Sequence, residues 1–124
     1  MDNKIEGIYY ELLSNAIPGA DNGHMTFANV GTLGAIPGRR DDLIAILTRP
    51  SPELREAGCL LYEVGINDDT PDLVYVSELW ESEDAHQRSL QLPSVQAAIQ
   101  EAMPLLSGEL GGSRFQVVGS PLRT

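Results

Sequence analysis

Residues 73–94, LVYVSELWESEDAHQRSLQLPS, carry two periodicities back to back. From Leu73 to Trp80 the side chains alternate, with Val74, Val76, Glu78 and Trp80 on one side and Tyr75, Ser77 and Leu79 on the other. That is the period-two signature of a strand. After Trp80 the pattern changes. Ser82 is a helix-capping residue type, and Glu83 and Asp84 stand where a helix dipole favours negative charge. The helical pattern then runs on until Pro93 breaks it. The only tryptophan and one of the two histidines fall inside this stretch, so it frames both the fold and the site.

Working outward, TFANVGTLGAI (26–36) is β-branched, small and alternating, and reads as a first strand ending at Pro37 and Gly38. RRDDLIAILTR (39–49) has Leu43, Ile44, Ile46 and Leu47 at helical spacing, and Pro50 and Pro52 end it. SPELREAG (51–58) adds one turn. Gly58 opens a second strand, CLLYEVGI (59–66), and NDDTPD (67–72) is a turn. SVQAAIQEAMPLLS (94–107) reads as a helix capped by Ser94, GELGG (108–112) as a loop, and SRFQVVG (113–119) as a last strand. The order β-α-β-β-α-β predicts an α+β, ferredoxin-like split βαβ fold, an antiparallel sheet with helices on one face. Strands two and three are apolar on both sides, so the bare face needs a cover too. A second copy of the chain supplies it most simply, as a two-fold dimer with sheets packed face to face.

Residues 1–24 stand apart from the domain at 25–124. Ile5, Ile8, Tyr9, Leu12 and Leu13 repeat at helical spacing up to the breaker at Pro18 and Gly19, and a polar linker follows. Gly23, His24 and Met25 also match a cloning junction, so this leader is either native helix or vector-derived sequence.

The whole chain has 124 residues, enough for one domain with a core, and a net charge of −10. That charge argues against nucleic acid and anionic membranes as partners. No apolar run approaches the roughly 20 residues of a membrane span, and the N-terminus lacks a secretory pattern. The single Cys59 excludes an internal disulfide and fits a cytoplasmic protein. The sequence has no dinucleotide fingerprint, no phosphate loop and no metal-spaced ligand set, so neither a cofactor nor a metal is expected.

In this order and spacing, several pieces resemble the antibiotic biosynthesis monooxygenase (ABM) domain, a family of small dimeric α/β barrels. They are Pro37-Gly38, Gly58-Cys59 with Tyr62, Glu78-x-Trp80, and the Ala85-His86 and Pro93-Ser94 pieces, within about 27–118. The resemblance implies a homodimer and a cofactor-independent monooxygenase that oxidises a quinol-like or polycyclic phenol with O₂. Such chemistry needs a base to ionise the substrate, a flat apolar wall and a few polar groups. The candidates are His86, Trp80 and Glu78 as catalytic groups, with Asn29, Tyr62, Tyr75 and Arg88 as substrate-binding groups. Each has a plainer reading: Trp80 as a core anchor, His86 as a structural histidine, Arg88 as a surface partner of Asp84. Many family members carry histidines where this chain has Ser89 and Ser94, so the family's histidine role does not transfer to His86. Gly31 stands where the haem-degrading branch has an asparagine. The scaffold also hosts isomerases and non-catalytic ligand-binding modules, and both remain alternatives.

Overall fold

The computed structural model describes residues 25–123, and the leader lies outside them. Its elements run β1 (Thr26–Ala35), α1 (Arg40–Leu47), α2 (Pro52–Glu56), β2 (Cys59–Gly65) and β3 (Leu73–Trp80). After these come α3 (Glu83–Ser89), α4 (Pro93–Ala102), a 3₁₀ turn (Met103–Leu105) and β4 (Leu106–Val117). The strands form one sheet in the order β2-β3-β1-β4, with every neighbouring pair antiparallel. This is the expected ferredoxin-like α+β topology. No helix among the described residues is long and apolar enough to cross a membrane.

The helices cover one face, and the core lies under them in two clusters. At one end Ala35, Val74 and Val76 of the sheet pack against Leu43, Ala102 and Leu105. At the other, Phe27 and Trp80 pack against Ala85 of α3. Leu43 and Val74 are fully buried, each contributing roughly 1.5–3 kcal/mol by leaving water. Ser82 caps α3 as its residue type predicts: its Oγ accepts from Ala85 N–H at 3.0 Å.

Three local expectations are corrected. Ser94 does not cap α4. Pro93 occupies the first turn and Leu92 is the cap residue, while the Ser94 hydroxyl donates to the Glu53 carboxylate on α2. The helix does not reach residue 107. Pro104 offers no N–H to continue it, so the chain tightens into the 3₁₀ turn. GELGG is not a loop but part of β4, which pairs with β1 from Leu106 onward, past a bulge between Leu33 and Ala35. Its glycines let the two backbones close up. A Cβ on Gly112 would sit 2.4 Å from the Val30 carbonyl oxygen, and Gly112 has φ +144°, which side chains rarely tolerate.

A second bulge shapes β2. Cys59 pairs with Trp80 and Leu61 with Leu79, leaving Leu60 as the extra residue. Cys59 and Tyr62 thereby both reach the helix side, where each packs on a core cluster.

Gly112→Ala is expected to lower stability by roughly 2–4 kcal/mol, through backbone clash and strain. Gly65→Ala has no atom within 4 Å of the new Cβ and should stay within about 0.5 kcal/mol of wild type. Denaturant unfolding of the two variants checks the pair.

Candidate active site

Register assembles the site. Tyr62 on β2 is paired with Glu78 on β3, Glu78 with Asn29 on β1, and Asn29 with Arg114 on β4. These four residues form one polar row across the sheet. The next row is Cys59, Trp80, Phe27 and Gln116. Strand alternation puts both rows on the face of Val74 and Val76, beneath the helices.

Helix α3 supplies the ceiling. The His86 ring lies edge-on to Trp80 at 5.3 Å and tilted over Phe27 at 5.5 Å. It is buried, and its Nδ1 has no hydrogen-bond partner among the described residues. Its Nε2 stands 3.9 Å from Glu78 Oε1, too far for a hydrogen bond. Ser89, at a family histidine position, is buried beside it and donates to the His86 carbonyl at 2.6 Å.

Glu78 sits at the centre. Its Oε2 accepts from Asn29 Nδ2 at 2.9 Å and its Oε1 from Trp80 Nε1 at 3.0 Å. Burial pushes its pKa up to about 7, against the downward pull of those two donors. Burial, helped by the Arg114 charge, lowers His86 to about 4. At neutral pH the histidine is therefore neutral, the pair is not a salt bridge, and the carboxyl is near its midpoint. Burial and then the Glu78 charge raise both the Tyr62 hydroxyl and the Cys59 thiol. Both stay protonated, so Cys59 is a poor nucleophile.

Five of the seven candidates come together: Glu78, Trp80, His86, Asn29 and Tyr62. Two do not. Tyr75 points to the opposite sheet face, its hydroxyl 2.9 Å from that of Thr70. Arg88 lies on the exposed flank of α3 and pairs with Asp84. Sequence reasoning alone does not bring Phe27 and Arg114 into the site. A signal for Arg114 was present, since it is the only Lys or Arg in the four strands.

A cleft of about 360 Å³ lies between α1, α2 and β2. Leu47, Leu54, Cys59, Tyr62 and Val64 line it, with Arg49 and Arg55 at the rim. It meets the polar row at Tyr62, and Glu78 lies behind that residue. No group of three or more His, Cys, Asp or Glu among the described residues could hold a metal ion.

The family model for antibiotic biosynthesis monooxygenases matches residues 26–101, which include the strands and helices that carry Asn29, Tyr62, Glu78, Trp80 and His86. The chain belongs to the ABM family. A solved structure of a candidate antibiotic biosynthesis monooxygenase from Chloroflexus aurantiacus J-10-fl is 37% identical, with a TM-score of 0.67. That match covers 77% of this chain and 95% of the other. A second ABM candidate, from Deinococcus radiodurans, is 26% identical over 76% of this chain and 94% of its own, with a TM-score of 0.65. A protein from Shewanella oneidensis, 23% identical over 78% and 94% with a TM-score of 0.66, shares the fold. Comparison with curated proteins gives no match.

Within this ABM site the two buried groups act oppositely on stability. Glu78 binds its proton more tightly in the folded state, so its contribution is full at low pH and is lost as pH rises from 4.5 through about 7. His86 binds its proton less tightly when folded, so its contribution is full above 6.5 and is lost as pH falls toward about 4. Between about 4.5 and 6.5 the slopes offset. Glu78→Gln should remove one of them, leaving stability that climbs with pH over that window by roughly 2–3 kcal/mol. Wild type should stay comparatively flat. Urea midpoints taken at half-unit steps of pH check this.

Proposed function

We propose that this chain is a cofactor-independent monooxygenase acting on a quinol-like or polycyclic phenol, with Glu78 as its base. The observation that carries the reading is the buried Glu78 carboxyl, oriented by Asn29 and Trp80 and tuned to about 7. A base is most effective when its pKa is near the working pH. His86, held near 4, is neutral and serves as a wall and a hydrogen-bonding group.

The chemistry balances on an anthrone-type substrate. Glu78 takes a proton, leaving a delocalised anion. The anion passes one electron to O₂, and the resulting radical pair combines as a peroxide anion on the ring carbon, which takes the proton back from Glu78 to become the hydroperoxide. Loss of water leaves a carbonyl, so one oxygen atom enters the product and the other leaves as water. Family membership supports the reading, and the Trp80 and Phe27 rings suit a flat aromatic ligand. The half-buried Cys59, its thiol held protonated, suits a cytoplasmic setting.

Oxygen uptake with reduced naphthoquinols and anthrones should exceed the autoxidation blank, and Glu78→Gln should lower it by about 10²–10⁴. The kcat/KM profile should rise with pH on a group near 7. Trp80→Phe removes a donor to Glu78 and should move that limb upward. Uptake no faster than the blank, with ligands that demonstrably bind, would leave a binding module or an isomerase using the same base.

The working unit in this proposal is a homodimer. Ala28, Val30, Leu61, Leu79, Phe115 and Val117 share the sheet face that carries no helix, and Leu61 and Phe115 are exposed. An apolar sheet face of this kind is best buried against its own copy. Phe115→Asp should convert a dimer to a monomer in sedimentation velocity, whereas Arg88→Ala, on the opposite side, should not.

A further inference from the structure

The cleft between α1, α2 and β2 owes its lining to the bulge in the edge strand. The extra residue at Leu60 sets Cys59 and Tyr62 on one face, where unbroken alternation would turn one of them away. Both line the cleft, with Leu47, Leu54 and Val64. Leu47, Tyr62 and Val64 pack on one core cluster, and Leu54 and Cys59 on the other. The apolar floor is therefore anchored in both cores. Its volume, about 360 Å³, falls within the range of small-molecule sites.

The rim carries two arginines in different states. Arg49 is already engaged: both its terminal nitrogens donate to the Glu101 carboxylate, at 2.8 and 2.9 Å. Arg55, exposed on α2, makes no ion pair among the described residues. Glu53 of the same helix accepts instead from Ser94 on α4. The Arg55 charge is felt inside the cleft: burial and the Glu78 charge raise the Cys59 thiol, and Arg55 pulls against them. Ser51 lines the cleft too and, although a capping residue type, makes no side-chain cap bond to α2. Its hydroxyl is a second donor at the same end.

We propose that this cleft binds an aromatic monocarboxylate, its apolar body against Leu47, Leu54, Tyr62 and Val64 and its carboxylate held by Arg55 and Ser51. A guanidinium is a flat fork that meets a carboxylate through two bonds. The Tyr62 ring favours an aromatic body. One cation balances one charge. In a chain of net charge −10, a phosphate monoester of about −2 would stay half uncompensated. The inference goes beyond the oxygenase reading, because it concerns binding and stands whether or not Glu78 acts as a base.

Isothermal titration of the full chain with 2-naphthoate and its neutral isostere 2-naphthamide compares wild type, Arg55→Met, Arg55→Lys and Arg114→Met. Wild type should bind the carboxylate more tightly by roughly three- to tenfold, and by less as salt rises. Arg55→Met should erase that preference and leave amide affinity within about twofold. Arg55→Lys should keep part of it, and Arg114→Met should keep all of it. Arg55 is exposed, so its variants should unfold at the wild-type urea midpoint. Cys59 is the only cysteine and lines the cleft, so its alkylation by iodoacetamide marks the place, and saturating 2-naphthoate should slow it in wild type. Binding of neither probe, an equal loss of both in Arg55→Met, a preference that survives there or one that vanishes in Arg114→Met would overturn the proposal. So would binding that leaves Cys59 alkylation unchanged. The expected pattern without any oxygen uptake would retain this inference and sink the oxygenase reading alone.

Discussion

The site depends on the antiparallel register of β1 and β3, which sets Phe27 against Trp80 and Asn29 against Glu78. Side chains alternate along a strand, so a slip of one residue would turn Asn29 and Phe27 to the other face while Glu78 stayed beneath the helices. The carboxyl would then lose a donor and the histidine half of its aromatic bed. The register is fixed by the ends of the strands. Phe27 must fill the space under α3, and Ala35 must fit under Leu43 and Leu105. Between them Gly31 lies opposite Gly112, where only glycine lets the strands approach so closely. Packing at the two ends thus places a polar row that would not hold itself.

That dependence explains how much the sequence could show. The element order was legible because each piece has its own period and its own breaker. The alternation in LVYVSELW located Glu78 and Trp80 on one face, and Ser82 and Pro93 bounded α3. Within β4 the GELGG stretch reads as a loop in sequence because its strand character comes from pairing with β1, a long-range fact that no local propensity reports. Ser94 is a cap by residue type, yet the neighbouring Pro93 sets the first turn and frees the Ser94 hydroxyl for Glu53.

The site was half legible for a similar reason. Tyr62 and Tyr75 separate by parity, and the structure keeps them on opposite faces. Arg88 could be assigned to the surface from its spacing to Asp84. Phe27 and Arg114 become relevant only through register, since they lie far from Trp80 along the chain. The charge states were not readable at all. A histidine at its ordinary pKa would look like the better base, and only the shared burial of His86 and Glu78 reverses the order, lowering the one and raising the other.

This reversal bears on the serines at the family histidine positions. Ser89 spends its hydroxyl on the His86 carbonyl and Ser94 on Glu53, so neither is placed to move a proton. On the proposed reading the base has moved from the helix to the sheet. A carboxyl on a central strand, bonded through both oxygens, is held more firmly than an imidazole on a seven-residue helix whose Nδ1 finds no partner among the described residues. The move has a consequence for charge. Proton transfer to the carboxylate moves one buried negative charge onto the substrate, and a charge buried without a counter-ion is costly. A sheet that works this way needs a fixed cation near the row, and in this chain Arg114 is the only one the strands provide.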